Sequence, residues 1–288
     1  MAEKNGVLVV DKPRGPTSHD VVAKARRALG TKAVGHAGTL DPMATGVLVV
    51  AVGEATKLVS YLSASDKEYE ATVALGVATD TLDAEGRETS RAEVPASWRD
   101  ALEGALDAER KRTMQLPPIF SAIHAKGARS HELARRGEAV ELAERPVRVV
   151  ALEVHALGEA EIQLRLTVSK GYYVRALARD LAAHLGTVGH LTALRRIRSG
   201  AFSITEAIGL DAFADARLVP VAEAAARALP TCTLSEAGVA HARAGRAVPL
   251  ADLGTNAPGE HAWLAADGAL VAVGRIEEGA GRVTRGFH

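Results

Sequence analysis

Val7–Val10 is the first apolar stretch of the chain, short and uninterrupted, as in a buried strand. Val21, Val22, Ala25 and Leu29 then recur at helical spacing, between Ser18, which can cap a helix, and Gly30, which stops one. The β-branched run Gly46–Val52 predicts a second buried strand, followed by a short helix around Ala55–Leu62 and a strand over Glu68–Val77. The region Pro95–Glu109 reads as a peripheral helix. Arg145–Val154 and Glu161–Val168 are β-rich; in the second, Ile162, Leu164, Leu166 and Val168 alternate with Gln163, Arg165 and Thr167. Two neighbouring antiparallel strands are expected there. Tyr173–Leu185 returns to helical spacing and ends at Gly186. An alanine-rich helix, Ala222–Ala228, leads to Pro230, after which glycines and short apolar runs dominate, with Asp267–Gly268 as a hairpin turn. The pattern is that of an α+β protein, with a larger domain over 1–228 and a small β-rich module over 229–288.

Composition narrows the class. A chain of 288 residues, 47% apolar and 24% charged, can bury a substantial core. No apolar run approaches the ~18 residues of a membrane span. The single cysteine, Cys232, precludes an intramolecular disulfide, and the N-terminus lacks a basic segment followed by an apolar core. A cytoplasmic protein is expected. Formal net charge is zero, but it is unevenly spread: residues 66–109 hold twelve acids against four bases, and residues 165–198 hold seven bases against Asp180 alone. The second stretch (Arg165, Lys170, Arg175, Arg179, Arg195, Arg196 and Arg198) is either a phosphate-facing surface or a solvated helix face.

Familiar chemical templates are missing. There is no HExxH, GxSxG, P-loop or GxGxxG sequence, and His184 and His190 are separated by two glycines. No metal or nucleotide cofactor is expected. Asp80–Gly86 lacks the ligand spacing of a calcium loop and reads as a solvated turn. What remains is Gly35–Gly46, GHAGTLDPMATG, a polar loop directly before a strand. Pro42 restricts Asp41 to extended backbone angles, and Gly35, Gly38 and Gly46 permit close approach to a ligand. The residues alone leave two readings open: a rigidly presented carboxylate, or an ordinary Asp-Pro turn.

GHAGTLDPMATGVL resembles the signature loop of the TruB family of bacterial tRNA pseudouridine-55 synthases. In the same order, DKPRGPTSHDVV (Asp11–Val22), KEYEATVALGVATDTLDAEG (Lys67–Gly86), QLPPIFSAIHAKG (Gln115–Gly127), ELARRGE (Glu132–Glu138) and SKGYYVRALARDLAAHLG (Ser169–Gly186) resemble the other blocks of that family. The resemblance implies the pseudouridine synthase fold, a largely antiparallel central sheet flanked by helices, and a small C-terminal β-barrel of the PUA type. It implies isomerisation of the T-loop uridine of tRNA without a cofactor. The partner is then the T-arm of tRNA, met by a monomer that needs no obligate protein partner.

By the same resemblance Asp41 is the catalytic carboxylate, Arg175 pairs with it, and Tyr69 stacks under the target uracil and serves proton transfer at C5. Tyr173 and Leu194 line the base pocket, and His36 packs against the nucleotides that the extruded base leaves behind. A carboxylate entering an apolar pocket needs a nearby cation to stay ionised, a need that Arg175 meets. The charge pattern adds Lys12, Arg14, Lys126, Arg129, Arg179, Arg195, Arg196 and Arg198 as candidates for the RNA face. One departure stands out: His131 occupies a position where the family usually carries tyrosine. Two other classes are weighed against this reading. A non-catalytic RNA-binding protein on the same fold could dispense with Asp41, and an aspartyl-phosphate enzyme would require an acidic magnesium cluster that the sequence does not display.

Overall fold

The computed structural model describes residues 4–121, 124–125, 128–129, 142–277 and 279–287. Its main elements are, in chain order, β1 (Gly6–Lys12), α1 (Ser18–Leu29), β2 (Val34–His36), β3 (Thr45–Val52), α2 (Val59–Ala64), β4 (Lys67–Leu75) and α3 (Trp98–Arg110). Then come β5 (Val149–Leu157), β6 (Glu161–Val168), α4 (Val174–His184), β7 (Gly189–Ser199), α5 (Val221–Ala228) and β8 (Thr231–Thr233). The chain closes with α6 (Glu236–Arg243), β9 (Val248–Pro249), β10 (Gly259–Leu264), β11 (Leu270–Glu277) and β12 (Ala280–Gly286). Among the described residues no helix is long and apolar enough to cross a membrane. The chain divides into two compact units, one of Met1–Leu40, Val47–Ser65 and Ser199–His288, the other of Asp41–Gly46 and Asp66–Arg198.

In the first unit β1 lies beside β3, and β2 pairs antiparallel with β3. The valines of these strands (Val7, Val9, Val47 and Val49) pack with Phe202, Ala224, Ala225 and Phe287. The cap of α1 is Thr17 rather than the expected Ser18. Its hydroxyl accepts the Asp20 backbone N–H while the Asp20 carboxylate accepts that of Thr17, closing a capping box and holding the Asp20 carboxyl below its ordinary range. Ser18 turns inward and exchanges two hydrogen bonds with the backbone of Leu40, at 3.1 and 2.9 Å. The C-terminal module is a five-stranded sheet ordered β8–β10–β11–β12–β9, with Trp263 fully buried at its centre. The boundary expected at 228/229 falls inside this unit, since Ala224 and Ala225 of α5 share one apolar cluster with Ala262 and Val273.

In the second unit the strands run β7–β4–β6–β5. The antiparallel register of β4 and β6, from Lys67↔Val168 to Ala74↔Glu161, brings Tyr69, Ala71 and Val73 onto the buried face with Leu166, Leu164 and Ile162. The alternation legible in β6 thus sets which side of β4 is inside. Helix α4 packs on β4, and α3 packs on both α4 and β5. Trp98, Leu102, Ala105, Leu106 and Glu109 form a buried stripe on α3, so this helix is a packed layer rather than a peripheral one.

At the other edge, Arg195 and Arg196 of β7 pair parallel with Thr45 and Gly46. Gly46 has φ +97°, and a Cβ there would stand 2.2 Å from the Arg196 carbonyl oxygen. Its small size therefore serves strand against strand, not the approach of a ligand that the sequence suggested.

Candidate active site

Asp41 stands immediately before Pro42 in a turn closed by a 3.1 Å hydrogen bond from the Ala44 N–H to the Asp41 carbonyl. Arg175, in the first turn of α4, meets it side-on: Nε lies 2.9 Å from Oδ2, and Nη2 donates to Oδ1 at 3.3 Å. The remaining donors are directed to backbone, with Nη1 on the Thr81 carbonyl at 2.8 Å and Nη2 on the Phe120 carbonyl at 2.9 Å. A second carboxylate, Asp83, lies 3.7 Å from Nε. The Arg175 and Asp83 side chains are each 7% exposed, whereas that of Asp41 is 34% exposed. The guanidinium is thus buried with its charge compensated, as burial demands. Its catalytic-candidate partner alone opens toward solvent.

Asp83 corrects the reading of Asp80–Gly86 as a solvated turn. Its side chain accepts from the Thr81 hydroxyl at 2.6 Å and the Glu85 N–H at 3.1 Å, and its carbonyl accepts from the Thr79 hydroxyl at 2.8 Å. Backbone bonds of Ala84 and Leu191 fasten the turn to β7. Leu82 adopts φ 63°, an unusual conformation for a non-glycine residue, and the surrounding bonds hold it there.

Tyr173 is the N-cap residue of α4, which no side chain of its own caps. Gln115 substitutes: its Oε1 accepts the Tyr173 N–H at 2.8 Å, and its Nε2 donates to the Tyr173 carbonyl at 3.1 Å. Burial pushes the Tyr173 phenol up, against the pull of Arg145, of the hydrogen bond with Ser121 and of Arg175; Asp41 adds to the upward push. Tyr173 therefore lies within electrostatic reach of the Asp41–Arg175 pair. Tyr69 and Leu194 are buried on β4 and β7. The Thr192 hydroxyl donates to the Thr72 carbonyl, and a Cβ on Gly189 would meet the Ala74 carbonyl, so these strands run antiparallel. Extending that register carries Tyr69 to the level of Leu194–Arg196, the stretch paired with Thr45 and Gly46. His36 belongs to the other unit, where its ring meets that of His19 edge to face at 5.2 Å.

The basic residues separate into different classes. Arg196 is 1% exposed and Lys12 0% exposed, the ammonium of Lys12 donating to the carbonyls of Pro13 and Pro16. Both side chains are enclosed, which speaks against the place on the RNA face that the charge pattern suggests for them. The strand period explains Arg196, because Leu194 and Arg196 share the inward side of β7. Arg165 and Arg198 converge on Glu68 at 2.7 and 2.9 Å. Burial would raise the Glu68 carboxyl, but the two arginines outweigh it and hold the group below its usual range. Arg179 bonds Asp180 and the Leu116 carbonyl, and Arg195 bonds the Thr45 hydroxyl; both side chains retain solvent exposure. Arg14 is exposed. Lys126, the side chain of Arg129 and His131 lie outside the described residues.

Residues 26–174 match the model of the TruB family pseudouridylate synthase N-terminal domain, and residues 175–233 match that of the tRNA pseudouridylate synthase B C-terminal domain. The chain belongs to the TruB family of pseudouridylate synthases. A relative named tRNA pseudouridine synthase B from Mycobacterium sp. (strain KMS) is 45% identical over 280 residues, covering 95% of this chain and 92% of its own. Its namesake from Thermobifida fusca (strain YX) is 47% identical over 240 residues, 80% of this chain and 82% of the other. A solved Cbf5-Nop10-Gar1 complex contains a similar chain (TM-score 0.75, 26% identity, 98% of this chain and 84% of that one). Another is an H/ACA RNP bound to a substrate RNA containing 2'-deoxyuridine (TM-score 0.71, 25% identity, 98% and 85%). Of the residues that the sequence singles out, Asp41, Arg175 and Tyr173 lie together, and the structure adds Asp83, Gln115 and the carbonyls of Thr81 and Phe120, which the sequence does not single out. All four lie within the blocks DTLDAEG and QLPPIFSA; what the sequence could not display is that Asp83 and the carbonyls of Thr81 and Phe120 converge on the Arg175 guanidinium while Gln115 holds the backbone of Tyr173 beside it.

Proposed function

We propose that this TruB family chain converts the T-loop uridine at position 55 of tRNA to pseudouridine. The N1–C1′ bond breaks, the uracil turns in the site, C5 bonds to C1′, and the hydrogen displaced from C5 is balanced by protonation at N1. No electrons are exchanged with a partner, so the reaction needs no redox cofactor. Asp41 acts as the ionised carboxylate on the sugar side, held by Arg175. Tyr69 stacks on the base and serves the proton step, while Tyr173 and Leu194 wall the pocket. His36 contacts the nucleotides left behind, Arg179 and Arg195 meet phosphate, and the β-rich C-terminal module binds RNA.

The observation that carries this reading is the asymmetric burial of one ion pair. The arginine is enclosed with both edges bonded, while the carboxylate remains one-third exposed, anchored yet open to a substrate. A uridine inside a folded T-loop cannot reach such a group without being unstacked, at a cost of a few kcal/mol that stacking in the pocket and phosphate contacts offset.

The test is incubation of the purified chain, with no other protein, with an unmodified tRNA transcript and mapping of pseudouridine by carbodiimide-dependent primer extension. A single new carbodiimide-dependent stop, one nucleotide 3′ of position 55, is expected. Asp41→Asn should abolish it while leaving tRNA affinity within roughly tenfold, about 1.4 kcal/mol. Turnover by that variant refutes the role given to Asp41, and bound but unmodified tRNA with the unaltered chain favours the non-catalytic reading.

A further inference from the structure

Directly before the Arg175 helix lies a buried ionic network that the reaction itself does not use. Glu109, the last inward residue of α3, is 1% exposed. Its carboxylate accepts the Tyr172 hydroxyl at 2.5 Å and is gripped by Arg112, whose Nε lies 2.8 and 2.7 Å from the two oxygens. Arg112 continues to Asp180 on α4 at 3.2 Å, and Asp180 accepts from Arg179 at 2.7 Å. Burial, reinforced by Glu109, pushes the Tyr172 phenol well above its ordinary range, so it remains a hydrogen-bond donor.

The approach to α4 and the helix itself are therefore held from one place: Tyr172, just ahead of the first turn, and Asp180, within the second. The segment that follows Arg112 supplies Gln115, which holds the backbone of Tyr173, and the Phe120 carbonyl, which accepts from Arg175. The helix has no capping side chain of its own, so its starting position is set by these outside bonds. Arg175 is three residues beyond Tyr172, and its side-on contact with Asp41 depends on where that first turn sits.

We propose that Glu109, acting through the Tyr172 hydroxyl and Arg112, is a positioning residue that sets the register of the Arg175 guanidinium against Asp41. Glu109 touches no reacting atom. Its negative charge is the centre on which α3, the segment after it and α4 are joined, and a shift there is transmitted to the catalytic carboxylate. The activity arm rests on the function proposed above.

The test uses Tyr172→Phe, which keeps the ring and deletes one hydroxyl, together with Glu109→Gln and the double variant, all in the full chain. For Tyr172→Phe, kcat on tRNA transcript should fall roughly tenfold, as displacement of an oriented group predicts, with KM within about twofold. Its melting temperature should stay within about 3 °C of the parent. The double variant should be no slower than Glu109→Gln, because both changes cut the same link. Crystal structures of the parent and Tyr172→Phe supply a readout independent of activity, the expected change being a lengthened Arg175–Asp41 contact. A kcat within twofold of the parent, or a loss confined to KM or melting temperature, overturns the proposal even if Glu109→Gln fails to fold. Absence of pseudouridine with the parent chain refutes the proposed function instead, and an unmoved Arg175 in the Tyr172→Phe crystal then refutes the positioning role separately.

Discussion

Trp263 in the C-terminal sheet and Arg175 at the candidate site are both large, deeply buried side chains, and the structure accommodates them by opposite means. Trp263 lies in an apolar cluster with Cys232, Leu253 and Val271. Two glycines make room for it, since a Cβ on Gly274 would stand 2.2 Å from the indole and one on Gly281 2.8 Å. Gly274 pairs with His261 on β10, which makes it a diagonal neighbour of Trp263 on the adjacent strand. Arg175 is surrounded instead by acceptors: two carboxylates and two carbonyls contributed by residues 41, 83, 81 and 120. The ring of an indole needs chiefly volume, its one N–H apart, whereas a guanidinium needs several directed partners in specific places. The first region should be intolerant of a methyl group and indifferent to pH; the second should respond to charge and small displacement.

The largest departure from this contrast would come from Gly274→Ala. The added methyl has no space beside the indole, and a loss of about 3 kcal/mol in denaturant unfolding is expected, with unchanged turnover per folded molecule. A cost below about 0.5 kcal/mol would mean that this core adjusts as readily as a surface.

Next is the pH response of the charged region. Lys67 at the start of β4 is pulled from 10.5 to about 8 by burial and by the charges of Arg196 and Lys170. Below pH 8 its ammonium is charged whether the chain is folded or unfolded, and burial opposes folding. Between pH 8 and 10.5 the folded protein has released a proton that the unfolded chain still holds, so stability rises with pH across that window. Relative to Lys67→Met, the parent should gain up to about 3 kcal/mol there. A difference that stays flat from pH 7.5 to 10.5 would remove Lys67 from the set of buried charges.

The smallest effect separates two adjacent arginines. Arg195→Ala should reduce the slope of log Kd for tRNA against log salt by about one, the signature of a lost phosphate contact, while Arg196→Ala leaves that slope unchanged and lowers stability instead. Equal slopes for the two variants would contradict the division of β7 into inward and outward sides.

Much of this was legible in the amino-acid order. The alternation in Glu161–Val168, the helical spacing of Tyr173–Leu185 and the Asp267–Gly268 hairpin all reappear as predicted, because period and turn chemistry act over a few residues. Glu109 left a readable trace: it follows Trp98, Leu102, Ala105 and Leu106 on one helical face, and an acid on an apolar stripe calls for a partner. The partner itself, Tyr172, is 63 residues away and could not be deduced from spacing. The helix cap is Thr17, one position before the Ser18 that the pattern suggests, because both residue types are able to cap. Only Asp20, bonding back to Thr17, distinguishes them.

By itself the sequence determined the α+β elements, the candidate carboxylate in its Gly-rich loop and the resemblance that makes the chain a pseudouridylate synthase, since these reside in local pattern and contiguous motif. Tertiary structure alone decided which charges are available for chemistry. Of seven bases counted in one basic stretch, Arg175 is enclosed with Asp41, Arg196 is buried, Arg165 and Arg198 are joined to Glu68, and Arg195 remains partly exposed. A charge count is additive along the chain, but solvation and pairing depend on what folding brings within about 4 Å, and the carboxylates that Arg165, Arg175 and Arg198 meet lie 97, 134 and 130 residues away.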